Sequence, residues 1–159
     1  LNDVKKLFQD LGYEYCGYWQ RLSEHKGAVG KELWMKYTAE VKGLSSQKGP
    51  LVYVWMVNDQ IIYVGETSLT IKERMVGGHE GGFRGGSKSG IERQKSMLAL
   101  NESRIDVYVA FKPLFSNYIQ QLNNAISRLM SPTTNNMIVA RKREEALIIG
   151  LMNPILNKR

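Results

Sequence analysis

Apolar residues recur at Val4, Leu7, Phe8 and Leu11, the i, i+3, i+4, i+7 spacing of one helix face, behind Asn2 or Asp3 as a capping residue. Gly12 is expected to end that helix. A second helical pattern through Leu33, Trp34 and Tyr37 runs toward Val41, and the stretch from Gly43 to Pro50 breaks it. The period then changes. Leu51 to Val57 and Gln60 to Gly65 are short runs rich in Val, Tyr, Trp and Ile on either side of Asn58-Asp59, which reads as a β-hairpin. A two-residue turn there would put Tyr53 and Tyr63 on opposite faces of the sheet, whereas a three-residue turn or a bulge puts them on one.

Beyond the hairpin, Thr70 and Glu73 have capping-box spacing and start a helix that carries Arg74 and Met75, with Gly77-Gly78 expected to stop it. His79 then opens a glycine-rich stretch through Gly90 that reads as a mobile loop. A third strand is expected over residues 105 to 111, ended by Pro113, then a helix over 117 to 130 and a last one over 139 to 152. On the last helix Ile148, Ile149, Leu151 and Met152 form the expected buried side, and Glu145 shares it. The pattern describes an α+β protein: a small three-stranded, mainly antiparallel sheet flanked by helices over residues 51–159, with an N-terminal helical extension over 1–50. The aromatics of that extension, Tyr13, Tyr15, Tyr18, Trp19, Trp34 and Tyr37, suit a packed core better than base stacking.

Composition adds three constraints. Apolar residues make up 43% of the chain and charged ones 23%, and no run approaches a membrane span, so a water-soluble, cytoplasmic protein with no membrane partner is expected. Cys16 is the sole cysteine, which excludes an intrachain disulfide and a cysteine-rich zinc site. Lys and Arg number 22 against 15 Asp and Glu, a formal charge of +7 that favours a polyanion through counterion release. Lys72, Arg84, Lys88, Arg93 and Lys95 are the candidates for phosphate contacts. Neither a Walker loop nor a dinucleotide fingerprint is present.

Tyr53, Tyr63-Val64-Gly65, Arg74, Glu145 and Pro154-Ile155-Leu156-Asn157 follow one another across the last two thirds of the chain. In that order and at those spacings they resemble the GIY-YIG nuclease family: a tyrosine in a first strand, Tyr-Ile/Val-Gly in a second, an arginine on the next helix, and a metal-binding glutamate on a later helix that leads into Pro-x-x-Asn. Two positions depart from the pattern. Leu51 stands at the first glycine, and His79 lies five residues after Arg74 where many relatives have His or Tyr at four. The length of chain around 79–100 is closer to restriction or homing members than to compact repair ones.

The resemblance implies a Mg²⁺- or Mn²⁺-dependent endonuclease acting on double-stranded DNA, of the restriction type. Glu145 would hold the metal, with Glu66 as a helper; Tyr53 would be the general base, Tyr63 would position phosphate or water, Arg74 would clamp a phosphate oxygen, His79 would assist, and Asn157 would brace the site. A free phenol has a pKa of about 10, so something must favour the ionised form of Tyr53. A double-strand cut further implies a homodimer, with the N-terminal helices as its interface unless they pack on their own sheet. Two alternatives stay open: a catalytically inactive nucleic-acid-binding module on the same fold, and a homing-type nicking endonuclease.

Overall fold

The computed structural model describes residues 3–111 and 136–157. In chain order these form helix α1 (Val4–Asp10), strands β1 (Glu14–Lys26) and β2 (Leu33–Ala39), a short helix α2 (Lys42–Ser46), the hairpin β3 (Leu51–Val57) and β4 (Gln60–Thr67), two π-helical segments (Glu73–Glu80 and Gly82–Gly86), helix α3 (Lys88–Ala99), strand β5 (Arg104–Ala110), helix α4 (Asn136–Met152) and a 3₁₀ turn (Ile155–Asn157). The protein is α+β, and its sheet has five strands in the order β2-β1-β5-β3-β4, all neighbours antiparallel. The predicted helix over 117–130 lies outside the described residues.

The sheet is larger than the three strands expected because residues 14–39 are not helical. From Leu33 onward the buried positions are Leu33, Met35 and Tyr37, a period of two, while Lys36 points to solvent. Leu33, Trp34 and Tyr37 also fit a helical spacing, and only the pairing of β2 with β1 decides between the two. β1 in turn pairs with β5, so the segment expected to be a separate helical extension supplies two strands of the same sheet. Trp19, Tyr13 and Tyr37 are buried there, as their clustering suggested.

β3 lies inside the sheet with both faces covered, which is why it reads as a nearly unbroken apolar run. On one face Leu51, Tyr53 and Trp55 join a core with Trp19, Met75, Phe83 and Met97, brought by β1, the π-helical segments and α3. On the other face Val52, Val54 and Met56 pack with Val4 and Phe8 of α1 and Ile148 of α4. The apolar stripe of α1 is thus largely spent on its own sheet. Its start is doubly capped, since Asp3 accepts from Lys6 N at 2.8 Å and Asp59, at the tip of the hairpin, accepts from Val4 N at 2.9 Å. Among the described residues no helix is long and apolar enough to cross a membrane.

Candidate active site

The hairpin decides which side chains meet. Val57 pairs with Gln60 across a two-residue turn in which Asn58 (φ 47°) and Asp59 (φ 62°) both take the left-handed region, as a type I′ turn requires. By itself this turn would separate Tyr53 from Tyr63. The extra residue Ile62, between the pairs Trp55–Tyr63 and Met56–Ile61, makes a bulge that returns both tyrosines to one face, with ring centroids 6.1 Å apart.

Gly65 sits opposite Tyr53 in the ladder, and the tyrosine ring lies across it so closely that a Cβ there would overlap the ring. The glycine of Tyr63-Val64-Gly65 therefore makes room for Tyr53. Gly65→Ala is expected to displace that ring at a cost of roughly 1–3 kcal/mol; an unaltered melting temperature and near-ultraviolet circular dichroism would show that the space is not needed.

Thr70 and Glu73 form the expected capping box, with Thr70 N donating to Glu73 Oε2 at 2.9 Å and Glu73 N to Thr70 Oγ1 at 3.1 Å. The helix does not stop at Gly77-Gly78, and the stretch after it is not a loop: it continues in π-helical form to Glu80, then Gly82–Gly86, then α3. This explains the offset of His79. In a π-helix the bond runs from i to i+5, so residue 79 rather than residue 78 comes over Arg74. Arg74 Nε donates to Tyr53 Oη at 3.1 Å, and the same oxygen lies 2.7 Å from His79 Nε2. Strand β3 and the π-helical segment after the hairpin thus meet at a single phenolic oxygen.

Burial governs the protonation of this group. It pushes the Tyr53 phenol well above its ordinary value, as does neighbouring Tyr63, while Arg74 pulls the other way without prevailing. Burial, then Arg74 and Arg93, hold the His79 imidazole well below its ordinary value. Both side chains are neutral at neutral pH. An unfolded histidine takes up its proton near about pH 6.5, whereas folded His79 does so only well below that. The unfolded chain therefore binds more protons in this window, and stability is expected to fall as the pH drops below about 6.5, by at most about 1.4 kcal/mol per pH unit. Glu80, whose carboxyl is raised by burial, acts in the opposite sense at lower pH. Thermal melts between pH 7 and pH 5 should show a shallower slope for His79→Gln than for the parent; equal slopes would assign the effect to other groups.

Tyr53 is wholly enclosed, and Tyr63, though largely buried, is the tyrosine that lines the cleft. Tyr63, Arg93, Glu145 and Asn157 line one cleft of about 810 Å³, together with Lys88 and Glu92. Asn157 braces its wall: the side-chain amide accepts from Val64 N at 2.7 Å and donates to Val64 O at 2.7 Å, pairing with the outer edge of β4 as another strand would. Of the five basic candidates, Lys88 and Arg93 line the cleft. Lys72 and Arg84 are exposed elsewhere, and Lys95 is exposed and paired with Glu92 at 3.2 Å.

The carboxylates of α4 divide differently from the expectation. Glu144, not Glu145, is the acid turned into the core; it is fully buried and accepts from Tyr13 Oη at 2.9 Å. Glu145 is half-buried on the cleft wall, and Leu151, expected inside, is exposed. Ile148 lies four residues beyond Glu144, so the sequence signal for the inward acid was present but one residue earlier than the one chosen. Glu66 is near enough to Arg74 to interact with it electrostatically.

A hard divalent cation suits this donor set. Glu145 and Glu92 are the carboxylates of the cleft, and among the described residues no three His, Cys, Asp or Glu side chains are grouped as a closed metal cage. Mg²⁺ is held by one or two carboxylates and keeps several waters, so it needs no such cage.

No protein-family profile and no curated protein sequence matches the chain. Among solved structures, the fold is similar to that of the restriction endonuclease HPY188I in complex with product DNA, with a TM-score of 0.52 and 18% identity over 70% of this chain and 62% of that one. The chain thus spans a little over three fifths of that enzyme's chain.

Proposed function

We propose that this protein is a metal-dependent endonuclease that hydrolyses phosphodiester bonds of double-stranded DNA, of the GIY-YIG type and restriction-like in use. One observation carries the reading: Tyr63, Arg93, Glu145 and Asn157 from four separate elements line one cleft, with Arg74, Tyr53 and His79 hydrogen-bonded together behind it. The likeness to a restriction endonuclease bound to its product DNA, and a charge of +7, agree with it.

Glu145, with Glu92 nearby, would hold Mg²⁺ or Mn²⁺, which when bound polarises a phosphate oxygen and lowers the pKa of water. Tyr63 is the tyrosine able to touch a phosphate or an attacking water, and Tyr53 supports it from behind. Arg74 supplies a fixed positive charge to that pair. Asn157 holds β4, and with it Tyr63, in place through the backbone of Val64. A binding module without chemistry would have no need of two neutral, buried groups aligned on an arginine.

A double-strand cut by such a site calls for two subunits on opposite strands, so a homodimer on DNA belongs to this reading. Because Val4 and Phe8 of α1 are buried on the sheet, the dimer would use another surface. Incubation of supercoiled plasmid with the protein and Mg²⁺ should give linear product, and chelator should stop it; intact plasmid under all metal conditions would refute the reading. Affinity for duplex DNA should fall with salt at a log–log slope of about −0.9 per phosphate neutralised. Lys88→Ala should make that slope shallower by about one such contact, and an unchanged slope would remove Lys88 from the phosphate path.

A further inference from the structure

The hydrogen bonds behind the cleft have a direction, and a residue outside the family pattern sets it. Arg93, on α3, lies with its guanidinium carbon 4.7 Å from the centre of the Tyr63 ring and its Nη1 3.4 Å from His79 Nδ1. A guanidinium has five N–H donors and no acceptor, so Nδ1 must be the acceptor in that contact. A neutral imidazole carries one proton, which is then on Nε2 and is donated to Tyr53 Oη 2.7 Å away. Arg74 Nε donates to the same oxygen. Tyr53 Oη thus accepts from two donors, which leaves its own proton for neither of them, and the Tyr63 ring stands next to it with 6.1 Å between ring centroids. Along Arg93–His79–Tyr53 each donor points to the next group.

We propose that Arg93 is a positioning residue: by occupying Nδ1 it holds His79 as the Nε2–H tautomer and so makes His79, together with Arg74, a donor to the Tyr53 oxygen beside Tyr63. The Nε of Arg93 is buried without a hydrogen-bond partner among the described residues, so no carboxylate holds the guanidinium at that position. Stacking on Tyr63 keeps it in place instead. Without Arg93 the imidazole can carry its proton on Nδ1, Tyr53 then donates to Nε2, and the Tyr53 oxygen loses one of its two donors. Removing Arg93 also takes away one of the charges that keep the imidazole neutral, but burial and Arg74, the larger causes, remain, so the tautomer can be read on a neutral ring. The consequence for DNA cleavage rests on the nuclease reading; the tautomer itself does not.

Imidazole ¹⁵N shifts of the metal-free protein read the tautomer directly, and with only two histidines in the chain the His25→Gln variant leaves His79 as the single signal. The parent should show Nε2–H. Arg93→Met should shift His79 toward Nδ1–H, and Arg93→Lys, again a donor without an acceptor, should restore Nε2–H. On plasmid DNA, Arg93→Met should lower kcat by roughly 10–100-fold, the usual effect of losing an orienting partner, with little change in KM, and Arg93→Lys should recover most of it. An Nδ1–H signal in the parent, or an unchanged signal in Arg93→Met, overturns the proposal; if Arg93→Met does not fold, the parent and Arg93→Lys spectra still decide. A loss of cleavage without a tautomer change would also overturn it and leave Arg93 as a phosphate contact. The expected spectra in a protein that cuts no DNA would uphold the tautomer assignment and reject the nuclease reading.

Discussion

Replacing Glu145 by alanine should lower DNA cleavage by about 10²–10³-fold, the range that losing one preorganised catalytic group costs, while duplex binding stays within a few fold of the parent. The expectation follows from where the carboxylate stands. Glu145 is half-buried on the cleft wall beside Tyr63 and Arg93, and it precedes the exposed residues Ala146 and Leu147, so its removal opens no core cavity. Glu144 provides the control. It is fully buried and accepts a hydrogen bond from Tyr13, so Glu144→Gln should lower the melting temperature, whereas Glu145→Ala should leave it nearly unchanged. Parallel cleavage, binding and melting measurements separate the two. Full cleavage by Glu145→Ala would remove Glu145 from the metal site, and equal melting losses in both variants would mean that Glu145 is structural.

Tyr53→Phe should show the second large effect, on rate and stability together. The hydroxyl is the common partner of half-buried Arg74, Nε at 3.1 Å, and buried His79, Nε2 at 2.7 Å. Phenylalanine fills the same space over Gly65 but leaves those polar groups without a partner, at about 1–3 kcal/mol for each group left unsatisfied. Turnover should fall on the order of 10²-fold, because Arg74 and His79 lose their common anchor. Chemical denaturation with the metal-free protein reads the first effect and single-turnover cleavage the second. A variant as stable and as fast as the parent would reduce Tyr53 to an ordinary strand aromatic.

Local chemistry made some features legible in the sequence. The capping box at Thr70 and Glu73 depends on residues three apart, and the hairpin turn at Asn58-Asp59 on two residues that tolerate positive φ, so neither needs the rest of the fold. The requirement that Tyr53 and Tyr63 share a face already demanded a longer turn or a bulge, because side chains alternate strictly along a strand. Which of the two occurs was not legible, since a bulge at Ile62 depends on how β3 and β4 pair along their whole length.

Other features were decided by tertiary contacts. Leu33 to Ala39 fits a helix by spacing and becomes a strand because β1 offers it a ladder and buries every second residue. The helix after Thr70 passes through two glycines because its buried side, Met75, His79 and Phe83, is held against the sheet, and packing outweighs the roughly 1 kcal/mol per glycine that an isolated helix would lose. Sequence order by itself established the α+β class, the hairpin and the net positive charge, and it singled out the polar residues proposed to act on a phosphate. The five-stranded sheet, the inward turn of Glu144 rather than Glu145, the enclosure of Tyr53 behind Tyr63 and the meeting of Arg93 with His79 were settled only in three dimensions, because each depends on residues far apart in the chain competing for the same buried space.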